Sequence, residues 1–440
     1  MINLIRRHIM RISFLLLVLC FSTGLMILTP NVDTSKVGAD NDYLINLYTE
    51  LHQSPELSLE EKETSKKLAN ELRKVGFEVT ENFGGYGIVG ILKNGKGPTI
   101  LYRTDMDALP MYEKTGLAYK SEVEVPYNGG KVGTMHSCGH DIHMTNWVGT
   151  ARYMASIKDQ WKGTLMFIGQ PAEEIGAGAR AMLAAGLYEK FGVPDYGIGL
   201  HSSPSLPAGT VGLSDGYTMA NSEFADIKVF GIGAHGATPH MSIDPVVTAS
   251  MIVMELQTIA SRSVKPIDDV VVTVGAIKGG TKHNIIPDEV TLQITMRTFT
   301  EEVRLLVHKR IEEIARGVAI AAGLPDDKMP EVIFREEFTP ANFNHPELIE
   351  SLRKSASKVL EAKNILEAEP QMVAEDFSLY GKTEHQVPTA LFWLGTVPDQ
   401  RIQSGDLPGL HSPFYYPEPA KSLETGVTVV SQAMLDLLNQ

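Results

Sequence analysis

Three short apolar runs in this chain stop at residues that a buried strand does not ordinarily carry. Residues 99–102 give way to Arg103-Thr-Asp-Met-Asp-Ala-Leu-Pro110. Residues 164–168 run into Gly169-Gln-Pro-Ala-Glu-Glu-Ile-Gly176, and Gly197-Ile-Gly-Leu leads to His201. Short apolar runs bounded by glycine and proline read as strands, and a helical period over 143–157 separates the first two. Strands alternating with helices specify an α/β sheet. Such a sheet presents its ligands beyond the carboxyl ends of its strands. A solvated strand end is the plain alternative for each run alone. The matching placement of the aspartates and the Glu173-Glu174 pair favours a shared site.

The stretch Thr134-Met-His-Ser-Cys-Gly-His-Asp-Ile-His-Met-Thr145 packs three histidines, a cysteine and an aspartate together. Cys138 and His140 are its candidate metal ligands. A thiolate with an imidazole suits zinc, and an imidazole with nearby carboxylates also suits manganese or cobalt. Gly139 allows a tight turn between them. Asp141 is expected to cap a helix beginning at Ile142. The bland alternative is a buried polar turn with a structural thiol.

A chain of 440 residues is too long for one ordinary core, so more than one domain is expected. Its 43% hydrophobic and 21% charged residues describe a folded protein. The formal net charge of −14, with no basic stripe, argues against a nucleic-acid partner. There are two cysteines, Cys20 and Cys138. With the N-terminus removed, the single remaining thiol cannot form an internal disulfide, and a metal would occupy it.

Arg6, Arg7 and Arg11 precede an apolar run over residues 12–28, the pattern of an export signal. Residues 1–28 are read as a signal peptide or N-terminal anchor, which places the protein in the periplasm or outside the cell. A membrane contact is expected only through this segment, if it stays uncleaved. Residues 29–40 read as a linker without an apolar period. From Asn41, Tyr43, Leu44, Leu47 and Leu51 recur at helical spacing, and residues 41–221 form the first part of a catalytic domain. The character changes near Asn221. A strand, a helix, two strands, a helix and a strand follow, which predicts a small ferredoxin-like α+β layer inserted over 222–338. Residues 339–440 return to the catalytic domain. Its helix is expected over 347–360, its strand over 389–394, and its last helix over 421–438.

Cys138, His140, one of Glu173 and Glu174, His201 and His411 form a candidate ligand set. Such a set could hold two divalent metals with room for water and substrate. Neighbouring carboxylates do not ionise independently, so the second glutamate has a role as general base. The residues alone leave open which glutamate does which.

The motifs in combination resemble the metallo-aminoacylase/carboxypeptidase superfamily. They are His52…Pro55-Glu56, Arg103-Thr-Asp-Met-Asp-Ala-Leu-Pro110, His136-Ser-Cys-Gly-His-Asp141, Gln170-Pro-Ala-Glu-Glu174, Gly199-Leu-His201, Ala234-His-Gly-Ala-Thr-Pro239, Asn284-Ile-Ile-Pro287, Glu375-Asp-Phe377 and Leu410-His-Ser-Pro413. Cys138 is similar to the ligand of the amidohydrolase branch, which includes hippurate hydrolases, N-acetyldiaminopimelate deacetylases and auxin–amino-acid conjugate hydrolases. The resemblance implies an α/β zinc-peptidase-like domain, with a mixed central sheet flanked by helices and an inserted ferredoxin-like lid through which members dimerise. It implies Cys138, His140, Glu174, His201 and His411 as ligands of two divalent ions per subunit, manganese or zinc, with cobalt or nickel as further options. It implies Glu173 as general base, Asp107 as an orienting aspartate, and His235 as the lid histidine that helps hold the oxyanion. Asn284 and Arg297 are implied to bind substrate.

The activity expected is hydrolysis of the amide in an N-acyl amino acid or a similar small conjugate. A metallo-carboxypeptidase or dipeptidase is the nearest alternative. A thiol hydrolase using Cys138 is a second, and a non-catalytic acyl-amino-acid binding protein is the alternative from another class.

Overall fold

The computed structural model describes residues 30–440. The expected signal or anchor over 1–28 therefore lies outside the described residues. The expected linker over 29–40 instead contains helix α1 (Thr34–Ala39), capped by Asp33, whose side chain accepts the Ser35 amide. Val32 and Val37 are buried beneath it, and the Val32 amide donates to Gln432 at 2.8 Å. Two apolar residues are too few to announce a helical period. The partner that buries them lies 400 positions away.

Helix α2 (Asn41–Gln53) buries Leu44, Leu47 and Leu51 on one stripe, and α3 (Lys62–Lys74) buries Leu68 and Leu72. The strands β1 (Glu78–Thr80), β2 (Ile88–Lys93) and β3 (Thr99–Asp105) follow. Helix α4 (His140–Ser156) then leads to β4 (Thr164–Gln170). Helix α5 (Gly178–Ala184) and strands β5 (Tyr196–Pro207) and β6 (Val211–Leu213) complete the first part.

Next come β7 (Glu223–Phe230), α6 (Pro245–Thr258), β8 (Val270–Gly279), β9 (Glu289–Thr298), α7 (Glu301–Ala321) and β10 (Glu331–Phe334). The chain closes with α8 (Pro346–Val359), β11 (Ile365–Glu367), β12 (Thr389–Val397) and α9 (Pro419–Leu438). Among the described residues no helix is long and apolar enough to cross a membrane.

Eight of these strands form a mixed sheet in the order β1-β2-β4-β3-β5-β12-β6-β11. The central strands β4, β3, β5 and β12 are parallel, so their carboxyl ends share one edge. Asp105 pairs with Gln170 across β3 and β4, and Arg103 pairs with Gly199 across β3 and β5. Asp105, Gln170 and His201 therefore sit at one level. Helices pack on the sheet through a core that contains Tyr48, Tyr102, Trp147, Trp161 and Phe167. The Trp147 indole is fully buried and donates to the Tyr102 carbonyl at 3.1 Å. Losing such a side chain to alanine costs about 3–5 kcal/mol.

The apolar run ends at His201, and strand β5 continues to Pro207, with β12 paired to Gly197–Ser203 and again at Pro207. The register shifts between Gly395 and Val397, and that irregularity accommodates Pro204, which has no amide to donate.

Four strands form a second sheet in the order β8-β9-β7-β10, antiparallel throughout. Along β7, Ala225, Ile227 and Val229 are buried in alternation. Helices α6 and α7 cover that face with Ala249, Ile252, Leu256, Val307 and Ile311, in a core separate from that of the larger sheet. The chain enters and leaves this region side by side: the Ser222 amide donates to Thr339 at 2.9 Å, and the Thr339 amide returns a bond at 3.1 Å.

Candidate metal centre

The turn before α4 sets the first two candidate ligands. Gly139 has φ 79° and caps α4 with no side-chain bond. A Cβ on it would lie 2.3 Å from the Ser202 hydroxyl, so only glycine fits. The helix thus starts at His140, two residues earlier than expected, and Asp141 is not its cap. Asp141 lies inside the first turn, where it accepts the Ile142 amide at 2.9 Å and pairs with His52 Nδ1 at 2.7 Å. A carboxylate in a first turn also faces the positive end of the helix dipole.

All five predicted ligands converge. Cys138 Sγ lies 3.6 Å from His201 Nε2. His140 Nε2 lies 3.7 Å from Glu174 Oε1 and 3.8 Å from Glu173 Oε2. His411 Nε2 lies 3.3 Å from Glu174 Oε2. Cys138, His140 and His201 bring donor atoms within 4.8 Å of one another, and so do Cys138, Glu174 and His411. His411 does not come from the end of an apolar element. It sits in a turn at φ 61°, and its amide is held by the Ser137 carbonyl at 2.9 Å.

The imidazoles are oriented as ligands need to be. His140 Nδ1 is 2.8 Å from the Asp107 carbonyl, and His201 Nδ1 is 2.9 Å from the Ser202 carbonyl. Each carbonyl accepts a hydrogen bond from Nδ1–H and leaves Nε2 aimed into the cluster. His143 is fully engaged elsewhere: Nδ1 meets Asp105 at 2.7 Å, and Nε2 accepts the Ser202 amide at 2.7 Å. It supports the site without a free nitrogen.

The field in the cluster is negative. Burial and the neighbouring carboxylates push Glu174 up to about 7, against the pull of His140. Glu173 is raised well above the carboxylate range by burial, then by Glu375 and Glu174. Burial would lower His140, but Asp105, Asp107 and Glu174 outweigh it and raise the imidazole to about 10. Burial, then Glu174 and Glu173, push the Cys138 thiol up. His140 Nε2 and Glu174 Oε1 are buried atoms with no hydrogen-bond partner. Sulfur, nitrogen and oxygen donors around unpartnered atoms in a negative field fit divalent cations.

Asp107 braces the acidic pair from below. Its two oxygens accept the amides of Glu173 at 3.1 Å and Glu174 at 3.0 Å, and Ser58 donates to it at 2.6 Å. A second brace stands beside it, one that the motifs do not announce. Arg103 is buried and donates to Gln170 at 2.9 Å, Asp105 at 2.7 Å, Glu375 at 2.8 Å and Asp376 at 3.1 Å. Glu173, Glu375 and Asp376 bring their oxygens within 4.8 Å of one another. Part of the signal is local: Asp105 stands two residues before Asp107, and Glu375-Asp376-Phe377 is itself one of the motifs. Nothing local said that one guanidinium would join them.

The substrate-binding candidates lie elsewhere. His235 is exposed on a short strand (Ala234–His235) paired with Ile285–Ile286, and its Nδ1 accepts the Ala237 amide at 3.0 Å. The Asn284 carbonyl accepts the Gly236 amide at 2.8 Å, so His235 and Asn284 are neighbours. Arg297 is not with them. It lies near the far end of β9, about 26 Å along the strand from Glu289 at 3.3 Å per residue. There it donates to Thr295 at 2.9 Å and lies over the Phe224 ring at 5.9 Å.

The family model for peptidase family M20/M25/M40 matches residues 101–436. The hippurate hydrolase of Campylobacter jejuni is 37% identical over 333 residues, covering 75% of this chain and 83% of its own. Thermostable carboxypeptidase 1 of Saccharolobus solfataricus is 36% identical over 359 residues, covering 81% and 86%. A Bacillus subtilis crystal structure described as a dinuclear metal-binding peptidase of the M20 family superposes with a TM-score of 0.75 at 30% identity, over 91% of this chain and 99% of the other. With the converging ligand set, these matches mean that the chain belongs to peptidase family M20/M25/M40, as a metal-dependent hydrolase of amide bonds.

Proposed function

We propose that the protein hydrolyses the amide bond of an N-acyl amino acid or a similar small conjugate. The reading is carried by one observation: Asp107 holds the amides of both Glu173 and Glu174. Glu174 then faces His140 and His411, while the Glu173 carboxylate stands beside it. Cys138, His140, Glu174, His201 and His411 would hold two divalent ions, manganese or zinc by their donor types, with cobalt or nickel as further options. When bound, the ions supply Lewis-acid polarisation and a water of lowered pKa. Glu173 takes the proton of the attacking water and returns it to the leaving amine. Its burial among carboxylates makes it basic enough for that task.

The region over 222–338 acts in this reading as a ferredoxin-like lid inserted between the two parts of the catalytic domain, 41–221 and 339–440. Its closure brings His235 to the oxyanion and Asn284 to the substrate. Arg297 has no place at that site, because it lies at the other end of β9. A homodimer through the lid is supported by two features. Strand β8 is an edge strand, and α6 turns Val247, Met251 and Met254 outward, 52%, 52% and 70% exposed. A monomer by light scattering would contradict it. Export rests on residues 1–28 as signal or anchor, and finding the chain in the cytosol on cell fractionation would contradict that.

A substrate screen on metal-reconstituted protein tests the reading. N-acetyl, N-benzoyl and indoleacyl amino acids are expected to turn over with higher kcat/KM than dipeptides. The reverse preference would favour the carboxypeptidase reading, to which the similarity to the Saccharolobus carboxypeptidase points. Binding without turnover would favour a non-catalytic protein.

A further inference from the structure

Glu61 is completely buried and belongs to no role described above. It occupies the position just before α3, where a short polar side chain normally caps the helix. Its carboxyl makes no cap bond. Glu56 does that work instead, accepting the Glu63 amide at 3.2 Å and the Thr64 amide at 2.8 Å. The Glu61 side chain reaches across to the turn after β4, where Oε1 accepts the Ala172 amide at 2.7 Å. Oε2 has no hydrogen-bond partner. A buried acid left half satisfied calls for an explanation. Burial, and then the Asp107 charge, push it up to about 7.

Its partner explains it. Ala172 has φ 51°, a left-handed conformation that strains any residue with a Cβ. Ala172 directly precedes Glu173. Its carbonyl is pinned by the amides of Ala177 and Gly178, each at 3.1 Å. Gly178 is itself forced, because a Cβ there would lie 1.6 Å from the Pro171 carbonyl oxygen. The Ala172 amide is the remaining free handle on this turn, and Glu61 holds it. Asp107 fixes the next two amides, so the direction in which Glu173 leaves the turn follows from both acids together.

We infer that Glu61 is a positioning residue of the reaction, whose carboxyl holds the Ala172 turn and thereby aims Glu173 into the metal cluster. The inference rests on Glu173 being the general base. The test compares Glu61→Leu, Glu61→Gln, Glu61→Leu with Ala172→Gly, and Glu173→Gln in the full metal-loaded chain, with N-benzoylglycine as substrate. Metal content, kcat, KM and deuterium exchange over residues 170–176 are read for each. Glu61→Leu is expected to lower kcat on the order of 10²-fold, the scale of a misplaced catalytic group, with KM and metal content held. Amides over 170–176 should exchange faster. Glu61→Gln keeps an acceptor oxygen and should recover most of the rate. Ala172→Gly in the leucine background should recover part of it, because glycine adopts positive φ without strain.

An unchanged kcat and exchange pattern in Glu61→Leu would overturn the inference. So would a loss that follows metal content alone, or a Glu61→Gln variant as poor as the leucine one. If Glu61→Leu does not fold, the glutamine variant and its exchange pattern still decide. Full activity in Glu173→Gln would remove the base assignment itself and this inference with it. A loss in Glu173→Gln with none in Glu61→Leu would remove only the positioning role.

Discussion

The two sets of functional candidates are built in opposite ways. His140 is fully buried and locked by the Asp107 carbonyl, with Cys138 and His201 close beside it. His235 is exposed, and its side-chain hydrogen bond stays within its own loop. The difference follows from what each set must do. Metal ligands have to be at fixed separations before anything binds, so a sheet edge and a helix start hold them. In the proposed reading, groups that meet the substrate after a closure need freedom to move, and exposed loops on a second sheet suit that role. Rigid placement is also what made the first set convergent in the structure while the second stayed apart from it.

The contrast is open to breaking, and the largest effect is expected on the rigid side. Glu173→Gln should keep its metal and lose on the order of 10²–10⁴ in kcat, the size of a general-base effect. A variant with full activity would mean that burial beside the ligands had been mistaken for chemistry. On the exposed side, His235→Ala should lower kcat by about 10²–10³ with metal content unchanged, as for removal of an oxyanion donor. If only KM rises, His235 binds the ground state and the closure has no catalytic part. If nothing changes, the second sheet does not close over the site.

The smallest effect sharpens the rigid side through pH. His52 is buried between Asp141 at 2.7 Å and Glu113 at 3.2 Å. Burial lowers its pKa, but the two carboxylates outweigh that and lift it to about 9. A histidine whose folded pKa is raised contributes stability fully present below about 6.5 and lost as pH climbs through about 9. The shift corresponds to about 3 kcal/mol. Denaturant titrations should therefore find the protein weakening across that window, and His52→Gln should make the slope shallower. A wild-type protein equally stable at both ends would show that His52 is uncharged throughout.

Much of the rigid side was legible because it is written locally. An apolar run that ends in Asp105-Met-Asp107 or Glu173-Glu174 states both the strand and its polar end. The stripe Leu44, Leu47 and Leu51 states a helix. What failed were features decided by distant partners. The Asp141 cap was displaced because Gly139, in a left-handed conformation at φ 79°, takes the cap position and α4 begins at His140. Helix α1 depends on Gln432 and Tyr153. The Arg103 brace needs Glu375 and Asp376 from the far side of the second sheet in sequence. Arg297 was paired with Asn284 only through the family resemblance, which carries no distance between them. An extended strand separates such residues more than any other element would.

The paired crossing at Ser222 and Thr339 has a consequence for how such a chain can be assembled. Its two ends meet as hydrogen-bonded neighbours, and no residue between them belongs to the larger sheet's core. A gene that joined one crossing point to the other through a short turn would ask nothing new of either core. The second sheet is thus a cassette: it can be exchanged, enlarged or lost by recombination while the ligand-bearing edge stays as it is. In the proposed reading, substrate range would drift on one side of that seam without disturbing the metal ligands on the other.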